Sequence, residues 1–460
     1  MYRRSLLRRG AIAGLSLSTL QAATTSAVGA TTLDDEFEPL GRVPVDGAAE
    51  AVVGDDGDVA YLAATNGFVT VDVSDPADPT ILTAHRQLAV DERQLTEILD
   101  VKVDGDRLVV PGPANRGTGE FEGVLLYDVS DPTDPVRVAE HETGYHIHNC
   151  YLDDETLYVV VNGDADDPGT PDENRLDVFD VGDDEIDRIG QWSMLDREPE
   201  WGEIYWLARY LHDVYVHDDV AYLAYWNAGT YLLDVSDPSS PEYLSHVRET
   251  NRDDQLSIES DREAQYGLPG NDHYSAVDET GSLMAVGREA WETGGDDPDG
   301  PGGIDLYDIS DATDPNRIAS IDPPETEDAT YNGGEWTTAH NFELRADRLY
   351  ASWYQGGVSV HDVADPAAPV EIARWADRDE AAFWTARVAN PGETIVASST
   401  ELIPNTDIEG ALYTFPIRTA GVDEDTDDPI PGFVGTAGLA GLAGGMVGLE
   451  WLRRRRRTAD

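Results

Sequence analysis

The segment GYHIHNCYL (residues 144–152) carries His146, His148 and the chain's only cysteine, Cys150, at alternate positions. Imidazole nitrogen and thiolate sulfur are donors that zinc and copper accept, so the segment has the composition of a local metal site. Three other segments change its meaning. HDVYV (212–216), HYSAV (273–277) and HNFEL (340–344) open with histidine as HNCYL (148–152) does, which puts His148, His212, His273 and His340 in one register. AEAVV (49–53), LDVKV (99–103) and WTARV (384–388) complete the set, with Ala49, Leu99 and Trp384 at the same point. Cys150 aligns with Val214, Ser275 and Phe342, positions that alternate into a core, and reads as a small buried apolar residue. His146 has no counterpart in most repeats. Two readings of the shared histidine remain open: a strand opening that hydrogen-bonds neighbouring repeats, or four converging imidazoles that bind copper, zinc or iron. In the second, Glu335, Asp272 or Glu203 would add a carboxylate.

What must position these residues is a repeated unit. VDVSDPADP (from 71), YDVSDPTDP (127), LDVSDPSSP (233), YDISDATDP (307) and HDVADPAAP (361) recur, with FDVGDDEID (179) a worn copy. Each ends an apolar strand in an Asp-Pro turn and is followed by another short strand; two more strands precede it. Four short strands in about fifty residues have the size and order of a propeller blade. Seven inner strands give an all-β, seven-bladed β-propeller of four-stranded blades. The last blade lacks the phrase and a fourth strand of its own; FEPLGRV near the N-terminus matches that strand and would close the ring. The repeats resemble the LVIVD-repeat β-propellers over roughly residues 37–417. That resemblance implies a fold and a scaffold role, and it is nearly silent on chemistry.

In a propeller, turns between strands 1–2 and 3–4 share one face; loops between strands 2–3 and the blade connections share the other. The first group is minimal here. The second holds the long insertions, where binding is expected. Trp201, Tyr205, Trp206 and Tyr210 lie in one (196–210), Tyr331 and Trp336 in another (322–339). Aromatic loops over a pocket suit an envelope protein, a glycan or an apolar small molecule; packing of the loops onto the blades is the other use of these rings. Calcium is the weaker cofactor candidate: the Asp-Pro carboxylates sit on hairpin turns, and Asp164 and Asp166 are followed by Pro168 rather than a ligand.

The formal net charge is -60 over 460 residues, and the two ends are basic: residues 1–30 carry +4 and residues 431–460 carry +3, leaving -67 on residues 31–430. Such a region repels nucleic acid. Lys102 is the only lysine, a pattern that resembles halophilic proteins, while 40% hydrophobic residues argue against a disordered acidic chain. Residues 1–30 have the layout of a signal peptide; Arg3 and Arg4 before Ser5-Leu6-Leu7 resemble a twin-arginine export signal, which implies passage through that translocase. The propeller is expected over 31–418 and an acidic linker over 419–430. Residues 434–452 are long enough for a transmembrane helix, followed by five arginines. Pro431, Gly432 and Phe433 before that stretch resemble the PGF-CTERM sorting signal of archaeal surface proteins, which implies processing by an archaeosortase and a lipid anchor at 431–460. The expectation is a membrane-anchored binding or scaffold module on the cell surface, beside the S-layer. The alternative is an extracytoplasmic metalloenzyme with histidines at the channel mouth. No nucleophile elbow, phosphate loop or Cys-x-x-Cys is present, so no catalytic residue is assigned.

Overall fold

The computed structural model describes residues 37–115, 120–162, 174–182, 185–258, 260–295, 298–389 and 394–417. The expected signal peptide, linker, sorting signal and transmembrane stretch lie outside the described residues, as do Asp164 and Asp166. Among the described residues no helix is long and apolar enough to cross a membrane.

Seven four-stranded antiparallel sheets form the blades. Their inner strands are Ala48–Val53, Lys102–Asp104, Cys150–Asp153, Asp213–His217, Asp272–Val277, Phe342–Arg345 and Phe383–Ala389. In the second, third and sixth blades the ladder starts two or three residues later than the alternating pattern implied, so His148 and His340 stand just before their strands. The seventh blade takes its outer strand from the N-terminus: Gly41–Pro44 pairs with Ala411–Pro416 in the register Gly41↔Thr414 to Pro44↔Ala411. Phe37 stacks on Phe415 with centroids 5.3 Å apart, fixing the closing strand by an aromatic contact of about 1 kcal/mol. Closure gives the seventh blade the four strands of the others, so that Ala411–Pro416 is not left as its edge.

The recurring phrase has a local cause. In the first blade, Asp72 Oδ1 accepts from the Ser74 backbone and hydroxyl (3.0 and 2.6 Å), and Asp75 Oδ1 accepts from Ala77 N (3.1 Å). The same pairs recur at Asp128 and Asp131, at Asp234 and Asp237, and at Asp308 and Asp311. These carboxylates are committed to their own turns, the use expected of Asp there. Neighbouring blades are stitched through the same turns. Thr70 Oγ1 donates to Pro132 O (2.7 Å) and Ser245 Oγ to Ala312 O (2.5 Å). At Gly190 a Cβ would come within 2.3 Å of Pro238 O, so the blade interface there admits only glycine.

Candidate functional site at the loop-rich mouth of the channel

Each inner strand begins at the end of the ring that carries the 2–3 loops and the blade connections. There a cavity of about 620 Å³ is lined by residues from both groups, including all four aligned histidines. The rings form a chain across four blades: centroids of His148 and His212 are 4.5 Å apart, His212 and His273 3.7 Å, and His273 and His340 4.6 Å. His340 continues the chain to Trp384, the residue in the same register of the next blade, at 4.4 Å.

The interblade hydrogen bonds expected of these histidines are present, and they use one nitrogen each. Nδ1 of His148 pairs with Ala114 O (3.2 Å), Nδ1 of His212 with His273 O (3.0 Å) and Nδ1 of His340 with Trp384 O (2.5 Å). A carbonyl only accepts, so each Nδ1 carries the proton and each Nε2 keeps its lone pair. The two readings of the register are therefore compatible: the bond that joins blades fixes the tautomer that can ligate. Burial keeps these rings neutral. It is the largest cause of the fall of His148 to about 4 and of His340 to about 3, with the His273 imidazole adding to both, and it holds His212 well below the usual range.

His273 is different. It is 2% exposed, and neither ring nitrogen makes a hydrogen bond. Its Nδ1 lies 3.2 Å from Glu289 Oε2, at ion-pair range but outside hydrogen-bond geometry. Glu289 Oε1 accepts from the Tyr354 hydroxyl at 2.5 Å. Burial raises the Glu289 carboxyl, but the imidazoles of His273 and His340 and the Tyr354 hydroxyl outweigh it and bring it down to about 2. Ligand atoms of His273, Glu289 and His340 lie within 4.8 Å of one another.

Glu289 corrects the expected carboxylate. Glu335 is engaged by Thr326 and Arg378, Asp272 by Thr230 and Arg288, and Glu203 by Arg252, so none faces the histidines. Glu289 directly follows the second strand of its blade (Leu283–Arg288), where the other blades have Thr65, Pro113, Asn162, Trp226, Trp353 and Thr400. That it is the one carboxylate in this series was the available signal. The aromatic residues divide as well. Trp206, Tyr210, Tyr331 and Trp336 line the cavity, together with Trp226 and Trp291, which lie outside the two aromatic insertions. Trp201 is not part of that face. It is buried in the core of blades three and four with Arg248 over its ring (5.0 Å), because the short helical turn Pro199–Glu203 folds it inward. Tyr205 points outward, 43% exposed, and does not line the cavity. His146 does line it, pairing with the Tyr210 hydroxyl (3.2 Å), while Cys150 is packed in the core and its thiol is pushed well up by burial.

The LVIVD-repeat family model matches residues 51–84 and 208–248. The chain is a β-propeller repeat protein. The crystal structure of the Myceliophteria thermophila Cps50 (Swd1) β-propeller domain is similar in fold, with a TM-score of 0.56 at 9% identity, covering 83% of this chain and 100% of that one. None of the curated proteins compared with the chain matches it. At that identity the likeness concerns the fold alone, and function has to be argued from the site.

Proposed function

We propose that this propeller is a ligand-binding module held at the cell surface, and that its ligand is a neutral or cationic small molecule with apolar faces. The observation that carries the reading is the cavity itself: about 620 Å³, the size of a small-molecule site, walled by Trp206, Tyr210, Trp226, Trp291, Tyr331 and Trp336. Among the described residues, its ionisable lining apart from histidine and tyrosine consists of Glu97 and Glu289, with no Lys or Arg. Aromatic faces beside carboxylates attract cations and repel anions. Export and anchoring rest on the sequence of the two ends, with Arg3 and Arg4 as export signal and Pro431, Gly432 and Phe433 as sorting signal. A propeller rigid in its blades and elaborated on one face suits such a role.

The test is a thermal-shift comparison on protein purified in molar salt and stripped of metal by a chelator. Benzyltrimethylammonium should raise Tm and phenylacetate should not, and Trp336→Ala should remove the response. Equal responses to cation and anion, or none to either, would refute the reading. Localisation is tested separately, by protease accessibility of the propeller on intact cells. The second reading, a metal-dependent site, is favoured by the buried ring of His273, neither nitrogen of which makes a hydrogen bond.

A further inference from the structure

We infer that His273, Glu289 and His340 form a binding site for a divalent transition-metal ion at the floor of the aromatic cavity, with the His212 ring packed against His273. The inference rests on the cavity assigned above as the ligand site and adds a cofactor to it.

Three observations converge. First, the three ligand atoms lie within 4.8 Å of one another. Tetrahedral ligands about 2.1 Å from zinc are about 3.4 Å apart, so side-chain adjustments of about 1 Å would bring the three onto one ion. Second, His273 is buried with both ring nitrogens lacking hydrogen bonds. Nδ1 faces Glu289 Oε2 at 3.2 Å outside hydrogen-bond geometry, and Nε2, buried with no hydrogen bond, has lost its hydration without replacement. Third, the neighbouring groups are held as ligands are usually held: His340 Nδ1 donates to Trp384 O, His212 Nδ1 to His273 O, and the Tyr354 hydroxyl grips the far oxygen of Glu289. Two imidazoles and one carboxylate suit zinc, iron(II), cobalt(II) or copper(II) better than the oxygen-seeking calcium or magnesium. Because Trp336, Tyr331 and Trp291 stand over the site rather than supplying donor atoms, coordination positions are left for a donor from the ligand.

The site also makes a prediction about the cavity. A divalent ion more than cancels the Glu289 charge, so metal and a quaternary ammonium ligand oppose each other, and the coupling is reciprocal.

The experiment is cobalt(II) titration of the chelator-stripped full chain in molar potassium chloride, read by visible absorption and by metal-to-protein ratio after gel filtration. One cobalt per chain is expected, with visible bands typical of nitrogen ligation, and benzyltrimethylammonium should bind more weakly once it is loaded. His340→Ala and Glu289→Gln should each weaken cobalt binding by roughly 100-fold or more, Tyr354→Phe by roughly 10-fold, as loss of an outer-shell partner does. His246→Gln, on an outer strand of the fourth blade, should leave it unchanged. Far-ultraviolet circular dichroism checks the fold of each variant, and the milder Tyr354→Phe keeps the test sharp if His340→Ala unfolds. No coloured complex, or binding equal in His340→Ala, Glu289→Gln and the parent, overturns the metal site. Ammonium binding without cobalt binding would overturn this inference alone; cobalt binding without ammonium binding would overturn only the ligand reading.

Discussion

Two layers of the channel are made by adjacent positions of the same inner strands, and they have been put to opposite uses. The outer layer is His148, His212, His273 and His340: three of them spend Nδ1 on backbone, His273 sets Nδ1 3.2 Å from Glu289 Oε2 without a hydrogen bond, and the rings offer Nε2 to the cavity. One residue further along each strand come Glu50, Asp100, Asn149, Asp213 and Asn341, and two beyond that Lys102 and Arg387. These reach across blades to one another. Lys102 meets Asp100, Asn149 donates to Asp213, Asn341 to Glu50, and Arg387 joins Glu50 (2.8 Å) to the Tyr274 hydroxyl (2.8 Å). The chain has discarded every other lysine. The one retained is buried among acids, where a compact ammonium can sit between several oxygens. Burial pulls Lys102 down, but Asp100 and Glu50 more than offset it and hold it charged. Burial raises Asp100 and holds Asp213 well above the carboxylate range. The inner layer is a polar web that ties blades together, with Asn341 Oδ1 and Arg387 Nε left without a hydrogen bond. The outer layer is left with unspent nitrogens under an aromatic roof, and that difference, more than histidine content, marks it as a site.

The sharpest way to break this contrast is Lys102→Met. If the inner layer is structural, removing its cation strands buried carboxylates and should cost about 3–5 kcal/mol in urea unfolding at fixed salt. A cost near zero would mean that the web is not what joins the blades. The next effect is in pH. His148 falls from 6.5 to about 4 in the folded protein, so the unfolded chain binds a proton first. Its contribution is full above about pH 6.5 and is lost as pH falls toward 4, on the order of 2–3 kcal/mol for metal-free protein. Asp100 and Asp213 are raised and act the other way, favouring the folded state as pH falls. His148→Phe should therefore flatten the acid limb of a stability–pH curve; an unchanged limb would place the titration elsewhere. Smallest is the neutral-pH cost of that same substitution. It removes one bond to Ala114 O and should cost about 1 kcal/mol by urea unfolding.

Away from the channel, Gly190→Ala should lower Tm clearly, because the added methyl meets Pro238 O at the blade interface. Alanine at Gly144, where a Cβ meets nothing within 4 Å, removes no contact and differs only through its positive φ of 72°. A Tm for Gly190→Ala as high as the parent's would mean that adjacent blades are not held that closely.

The fold was legible because its signals are local and repeated. An Asp-Pro turn states itself in nine residues, five copies give the period, and a missing last strand pointed to the one spare strand at the other end. The register of the four histidines followed from the same period. What failed to show in sequence was anything decided by contact between blades. Glu289 lies just past a strand end in a glycine-rich stretch, and only the approach of the fifth and sixth blades sets it beside His273 and His340. Trp201 and Trp206 are five residues apart in one insertion, yet one is a core residue and the other a cavity wall, because they belong to two separate short helical turns.

Sequence by itself determined the blade, the number of blades, the face that would be elaborated and the position at which imidazoles would recur, since each depends on turns and alternation within tens of residues. Only the tertiary structure decided which nitrogens remain unspent, which carboxylate joins them and which aromatics stand over them. Those outcomes depend on ångström distances between side chains from different blades, which no spacing along the chain encodes.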